Sequence, residues 1–282
     1  MLAKDTGVVI QFPKQTHNAL KGDRIMRIVI KVGTSTLAYP TGHVNLRRIS
    51  RLCRVLSDFK NAGHEVILVS SGAIGMGVGK LGLDGRPDDI QGKQAAAAVG
   101  QCELMYTYDK EFSEYHHTVA QILITGGEVE QPEHFQNFKN TMERLLAWHV
   151  LPIVNENDTI ATQEIAIGDN DTLAAIVATS MHADLLILLS DIDGLFTADP
   201  RTDPNAELIE RVEELTPEIY ALAGGEGSGL GTGGMVTKLS AAKLCMDAGC
   251  DMIIANGSNP TLLYALLDEV DFGTRFCANR SR

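Results

Sequence analysis

The chain has 282 residues, a formal net charge of −12 and a hydrophobic content of 44%, which fit one large globular domain or two ordinary ones. That acidic balance speaks against a nucleic-acid partner, whose footprint would be a basic face. Five cysteines without a CxxC pair speak against a disulfide framework or a structural zinc site and favour a reducing compartment, the cytoplasm.

No apolar run approaches ~18 residues, so no membrane span is expected. Residues 1–24 lack the apolar core of a signal peptide and read as a leader ahead of a domain over 25–282. Residues 25–30, rich in β-branched side chains, predict a first strand. It runs into Lys31-Val32-Gly33-Thr34-Ser35. A lysine at a strand end followed by glycine and hydroxyls suits a phosphate cradle, and equally a solvated lysine beside a turn. The spacing is not that of a Walker A loop. Apolar residues at helical spacing predict a helix over 45–61, with Arg47, Arg48, Arg51 and Arg54 on its solvated face. A second strand over 65–69 leads into Ser70-Ser71-Gly72 and a glycine-rich start of another helix. Those glycines lack the GxGxxG spacing of a dinucleotide site, and Ser71 and Gly72 read as the border of a small-molecule pocket.

A helix over 89–114 carries a small-residue patch at 95–98 suited to close packing. A strand follows over 119–125, then a helix opened by Gln131-Pro132-Glu133. That helix carries Trp148, read as a packing residue. The buried strand over 150–154 ends in Asn155-Glu156-Asn157-Asp158, and a second polar cluster, Gly168-Asp169-Asn170-Asp171-Thr172, opens the helix over 171–181. Either cluster alone reads as a turn or a helix cap. Two of them after one strand favour a ligand site, because open α/β sheets bind at the carboxyl ends of their strands. Between them, residues 159–167 alternate as a hairpin would. The strand over 184–189 ends in Ser190-Asp191, a strand-end position that suits a nucleotide. Glycines crowd residues 226–238, as in a linker or a loop that folds over phosphate, with Lys238 opening a helix. Residues 252–255 predict a last buried strand. Strands alternating with helices predict an α/β fold with a mostly parallel sheet covered on both faces.

Two lysines at loop junctions, with carboxylates and many backbone donors, suggest phosphoryl transfer, which needs positioning and charge stabilisation. No general base stands out. A carboxylate acceptor needs none, because a carboxyl with a reference pKa near ~4.3 is already ionised at neutral pH. Its difficulty is repulsion from the phosphate, on the order of 4 kcal/mol per unit pair at 4 Å and an effective dielectric of ~20. Flanking lysines offset that.

The blocks IVIKVGTS (28–35), VSSGAIG (69–75), IVNENDTIAT (153–162), IGDNDTLAA (167–175), LLSDIDGLFTADP (188–200) and GTGGMVTK (231–238) resemble those of the amino acid kinase family, in particular its glutamate-phosphorylating members. The resemblance spans about residues 25–277. It implies a three-layer αβα sandwich and ATP-dependent phosphorylation of the side-chain carboxylate of L-glutamate, the first step of proline biosynthesis, with magnesium entering on ATP rather than in a protein-held site. It implies that Lys31 and Lys238 hold the transferring phosphoryl group while Asp171 orients them. Ser71, Gly72, Asp158, Asp169 and Asn170 would surround glutamate. Lys31, Gly33, Ser190, Asp191, Thr232, Gly233, Gly234, Met235 and Lys238 would contact ATP. Proline as inhibitor, a homo-oligomer (dimer or tetramer) and hand-off to glutamyl phosphate reductase are further implications. Related kinases of aspartate or N-acetylglutamate, and a non-catalytic sensor of nucleotide and amino acid, are the alternatives. The leader exceeds the family's usual start, and nothing up to Arg282 suggests the PUA domain that follows in many bacterial members.

Overall fold

Runs of Val, Ile and Leu too short for buried helices and bounded by turn residues form the strands of a single sheet. The computed structural model describes residues 24–39, 43–161, 169–223 and 234–279. Its strands are β1 Arg27–Val32, β2 Glu65–Ser70, β3 Val119–Ile124, β4 Leu151–Glu156, β5 Leu185–Ser190, β6 Arg211–Val212, β7 Asp251–Asn256 and β8 Thr274–Phe276. Its α-helices are α1 Thr34–Leu37, α2 Leu46–Asn61, α3 Ala73–Leu81, α4 Ile90–Ser113, α5 Gly126–Glu130, α6 Pro132–Ala147, α7 Asn170–Ser180, α8 Pro217–Leu222, α9 Met235–Asp247 and α10 Tyr264–Leu267. The sheet order is β3-β4-β2-β1-β5-β7-β8-β6. Every neighbouring pair is parallel except β7 with β8.

Side chains alternate across a strand, and the two cores follow that alternation. Ile28, Ile30 and Val32 of β1 join Leu185, Ile187 and Leu189 of β5 in the core under α2 and α4. Val29 of β1 joins Leu186 and Leu188 of β5 in the core under α7 and α9. Lys31 shares the parity of Val29, which delivers its side chain to the α7–α9 layer. The result is the expected three-layer αβα sandwich. In register, Val32 lies beside both Ser70 and Leu189, and Ser190 beside Asn256. The carboxyl ends of β1, β2, β5 and β7 therefore form one edge, with β4 parallel beside them.

Gly77, in the glycine-rich start of α3, is explained by packing. A Cβ on Gly77 of α3 would stand 1.8 Å from the Ala96 carbonyl oxygen, and one on Gly100 of α4 would stand 1.7 Å from that of Ala73. Two glycines thus let α3 and α4 touch backbone to backbone. Ala96 and Ala97, from the predicted small-residue patch, are buried there.

Several expectations need correction. The first strand starts at Arg27, the first residue paired with β2, and Ile25 lies beyond the ladder at 66% exposure. The strand at 252–255 is not the last: β8 returns antiparallel to it, and the two-residue β6 pairs with β8. Trp148 does not pack in the core. It follows α6, whose buried stripe is Met142 and Leu146, and is 64% exposed with the Arg144 guanidinium 5.9 Å from its ring centroid. The predicted hairpin falls mostly within 162–168, outside the described residues, as does the leader up to residue 23.

Candidate active site

At the shared carboxyl edge of the sheet lies an open cleft of about 1060 Å³. Its centre is Asp171, the second residue of α7 and 1% exposed. The Lys31 ammonium, at the end of β1, lies 2.7 Å from Asp171 Oδ1. The Lys238 ammonium, from the first turns of α9, donates to Oδ2 at 3.0 Å. Both lysines are buried. Burial pushes the Asp171 carboxyl upward, but Lys31 and then Lys238 outweigh it and hold the carboxyl below its ordinary value. One carboxylate thus ties together β1, α7 and α9, elements distant in the chain. The structure joins Lys31, Asp171 and Lys238 as the resemblance implied. It departs from the sequence reading at the helix start: α9 begins at Met235 and Gly234 is its cap. Lys238 is therefore already one turn inside the helix. Gly234 caps α9 and Met235 is its first residue, while Thr232 and Gly233 lie outside the described residues.

Beside Asp171 a chain of amides fixes the direction of hydrogen bonding. Asn170 Nδ2 donates to the Ser70 carbonyl at 2.9 Å, Ser71 Oγ at 2.7 Å and Asn155 Oδ1 at 3.2 Å. A carbonyl only accepts, so this end of Asn170 is the donor and its Oδ1 is left as an acceptor. Ser71 Oγ accepts from Asn170, which leaves its own proton to donate elsewhere. Asp169 caps α7, accepting from the Asp171 and Thr172 amides at 2.7 and 2.8 Å. Its carboxylate therefore serves the helix start as well as the cleft it lines. Gly72 holds φ 99°, a left-handed conformation that suits glycine, at the cap of α3.

Ser71, Gly72, Asp158, Asp169 and Asn170 all line the cleft, as do Gly33, Ser190 and Asp191. Asp158 sits in the turn after β4, where burial raises its carboxyl above the ordinary range and Arg86 offsets part of that rise. Ser190 Oγ donates to Asp191 Oδ1 at 3.0 Å on the β5 side.

Two arginines were not anticipated. Arg48, read as solvated, lines the cleft and donates to the Ser35 carbonyl at 2.8 Å. Arg86 stands in the loop between α3 and α4 on the Asp158 side of the cleft. Nothing in the periodicity marks that loop, but Asp89, which caps α4 by accepting from the Gly92 amide at 2.7 Å, locates its end.

The amino acid kinase family model matches residues 26–256. The glutamate 5-kinase of Clostridium perfringens (strain 13 / Type A) is 55% identical over 268 residues, covering 94% of this chain and 99% of that protein. The glutamate 5-kinase of Listeria welshimeri serovar 6b is 55% identical over 254 residues, covering 89% of this chain and 92% of its own length. In fold, the chain is similar to a solved carbamate kinase from Giardia lamblia, with a TM-score of 0.63 at 16% identity over 91% of this chain and 100% of that one. A family match over most of the chain and relatives at 55% identity along nearly their whole length agree: this chain belongs to the amino acid kinase family.

Proposed function

We propose that the chain transfers the γ-phosphoryl group of ATP to the side-chain carboxylate of L-glutamate, giving L-glutamyl 5-phosphate. The observation that carries this reading is the buried Asp171 carboxylate holding two lysine ammonium groups at the junction of two half-sites. On one side, β5 presents Ser190 and Asp191 for the nucleotide. On the other, β2, β4 and the start of α7 present Ser71, Asp158 and Asn170 for the amino acid. The curated glutamate 5-kinases at 55% identity support glutamate as the acceptor.

The hydrogen-bond polarity of the second half-site supports an α-amino acid. Asp158 and Asn170 Oδ1 are acceptors and suit an ammonium. Arg86 and the Ser71 proton suit a carboxylate. The side-chain carboxylate then extends toward Lys31 and Lys238. Its oxygen attacks the γ-phosphorus, the bond to the β,γ-bridging oxygen breaks, and ADP leaves. No proton moves, so no general base is required. Lys31 and Lys238 neutralise the charge that gathers on the equatorial phosphoryl oxygens, and Asp171 keeps the two ammonium groups placed before the substrates arrive.

Magnesium belongs to this reading as a companion of ATP. Such an ion keeps waters and phosphate oxygens and needs only one or two carboxylates. Among the described residues no cluster of three or more His, Cys, Asp or Glu offers a cage, while Asp191 supplies a carboxylate on the nucleotide side. When bound, the ion withdraws charge from the β- and γ-phosphates.

Proline shares the ammonium and carboxylate head of glutamate but lacks the acceptor. Binding at the same head contacts makes it an inhibitor competitive with glutamate. The five cysteines are free thiols, which suits a reaction in the cytoplasm, and no described helix is long and apolar enough to cross a membrane. An acyl phosphate is short-lived in water, so direct transfer to glutamyl phosphate reductase and assembly as a homo-oligomer complete the reading.

Trapping tests it. The protein is mixed with ATP, magnesium and hydroxylamine, and separately with glutamate, aspartate or N-acetylglutamate. Hydroxamate forms with glutamate and falls on adding proline. Hydroxamate with another acid alone overturns the substrate, and ATP binding without hydroxamate from any acid overturns the reaction.

A further inference from the structure

Gln101 lies in α4, outside the cleft lining, and is 7% exposed. Its Oε1 accepts from Asn155 Nδ2 at 2.9 Å. Its own amide nitrogen is buried with no hydrogen-bond partner among the described residues. A buried donor without a partner is destabilising, so this side chain calls for an explanation. The acceptor end provides one. Asn155, 2% exposed at the end of β4, accepts from the Glu156 amide at 2.9 Å and from Asn170 at 3.2 Å. With Gln101 accepting from its nitrogen, both polar atoms of the Asn155 amide are engaged. Asn170 is in turn held against Ser70 and Ser71. The close contact of α3 and α4 through Gly77 and Gly100 fixes the helix from which Gln101 reaches the sheet.

We infer that Gln101 is a positioning residue that fixes the Asn155–Asn170–Ser71 relay, so that the cleft presents an acceptor to the substrate ammonium and a hydroxyl proton to its carboxylate. It touches no reacting atom and acts through Asn155. The inference rests on the glutamate-kinase reading and adds a residue that sets substrate selectivity from behind the pocket.

Two variants separate this role from simple support. Gln101→Met keeps the volume and removes the acceptor. Gln101→Glu keeps an acceptor oxygen toward Asn155. Rates of hydroxamate formation are measured with glutamate, with glutarate (glutamate without its amino group) and over a range of ATP, alongside the thermal midpoint of each protein. In Gln101→Met the KM for glutamate rises about tenfold, the scale of one hydrogen bond. The KM for ATP stays within about twofold, and the preference for glutamate over glutarate falls. Gln101→Glu recovers most of the glutamate KM and the preference. An unchanged glutamate KM in Gln101→Met overturns the inference. So do KM values for both substrates that rise together with a lowered midpoint and no recovery in Gln101→Glu. Wild-type protein that forms no glutamyl hydroxamate overturns the underlying reaction instead, which keeps the two failures distinct.

Discussion

Asp171 carries one negative charge between two ammonium groups and is almost completely buried. Taking it away by Asp171→Asn leaves two buried cations without their counter-charge. That costs about 3–5 kcal/mol of stability by the usual scale for half-broken buried pairs, read as a lower denaturant midpoint together with loss of activity. The carboxyl lies below its ordinary value because the two lysines overcome the effect of burial. Its stabilising contribution is therefore present in full above the ordinary carboxylate range and is lost as pH falls through the lowered folded value. An acid titration of unfolding shows that limb in the parent and lacks it in Asp171→Asn. Lys31→Ala and Lys238→Ala each lower kcat by about 10²–10³, the scale of a lost preorganised donor, measured by hydroxamate formation at saturating substrates. Asp158 shifts the other way, since burial raises it and Arg86 only partly restores it. Its neutral form cannot accept from an ammonium with full charge. The KM for glutamate therefore climbs as pH is lowered through the raised value of Asp158, while the KM for ATP does not follow it.

Among the elements, the helices α3 and α4 meet backbone to backbone through Gly77 and Gly100. A methyl group at Gly100 would have to displace the Ala73 backbone. Gly100→Ala consequently destabilises by about 1–3 kcal/mol or somewhat more, the cost of overpacking. A thermal melt reads it, and an unchanged melting temperature argues against the backbone contact. This pair also shows what a sequence carries and what it hides. The helical spacing of Leu52, Cys53, Leu56 and Phe59, and the Asp89 cap of α4, are local signals and mark α2 and α4 to within a residue. The glycines of α3 lack the spacing of a dinucleotide site, and the sequence does not show what Gly77 serves, because it packs against Ala96 of a different helix. β6 and β8 escape notice because two or three residues hold no period. Trp148 misleads because bulk alone does not say which side of the helix end it falls on. At the site, Lys31 and Lys238 are legible from their strand-end and loop-junction positions, and Asp171 only through the resemblance of its motif. Arg86 and Gln101 are not, since their roles arise where separate segments meet.

For the whole molecule, a net charge of −12 surrounds a cleft whose described lining includes Lys31, Arg48, Arg86 and Lys238. The same lining carries Asp84, Glu156, Asp158, Asp169, Asp171 and Asp191, so what the cleft offers an anion is not a basic field but the two ammonium groups gathered on Asp171 where the carboxyl ends of β1, β2 and β5 converge. The alternation of strands and helices makes that architecture readable from the chain alone, because each buried parallel strand needs a covering helix on either face. The position of the site follows from the topology. Its chemistry follows from the charges that the topology gathers. The central claim is that the side-chain carboxylate oxygen of glutamate becomes the bridging oxygen of the product. Glutamate labelled with ¹⁸O only in that carboxylate is turned over with ATP in the presence of hydroxylamine, and the phosphate released on hydroxamate formation is analysed by mass. One ¹⁸O per released phosphate, and none when only the α-carboxylate is labelled, is the expected result. Phosphate free of ¹⁸O from the side-chain-labelled substrate would contradict carboxylate attack and leave water as the acceptor.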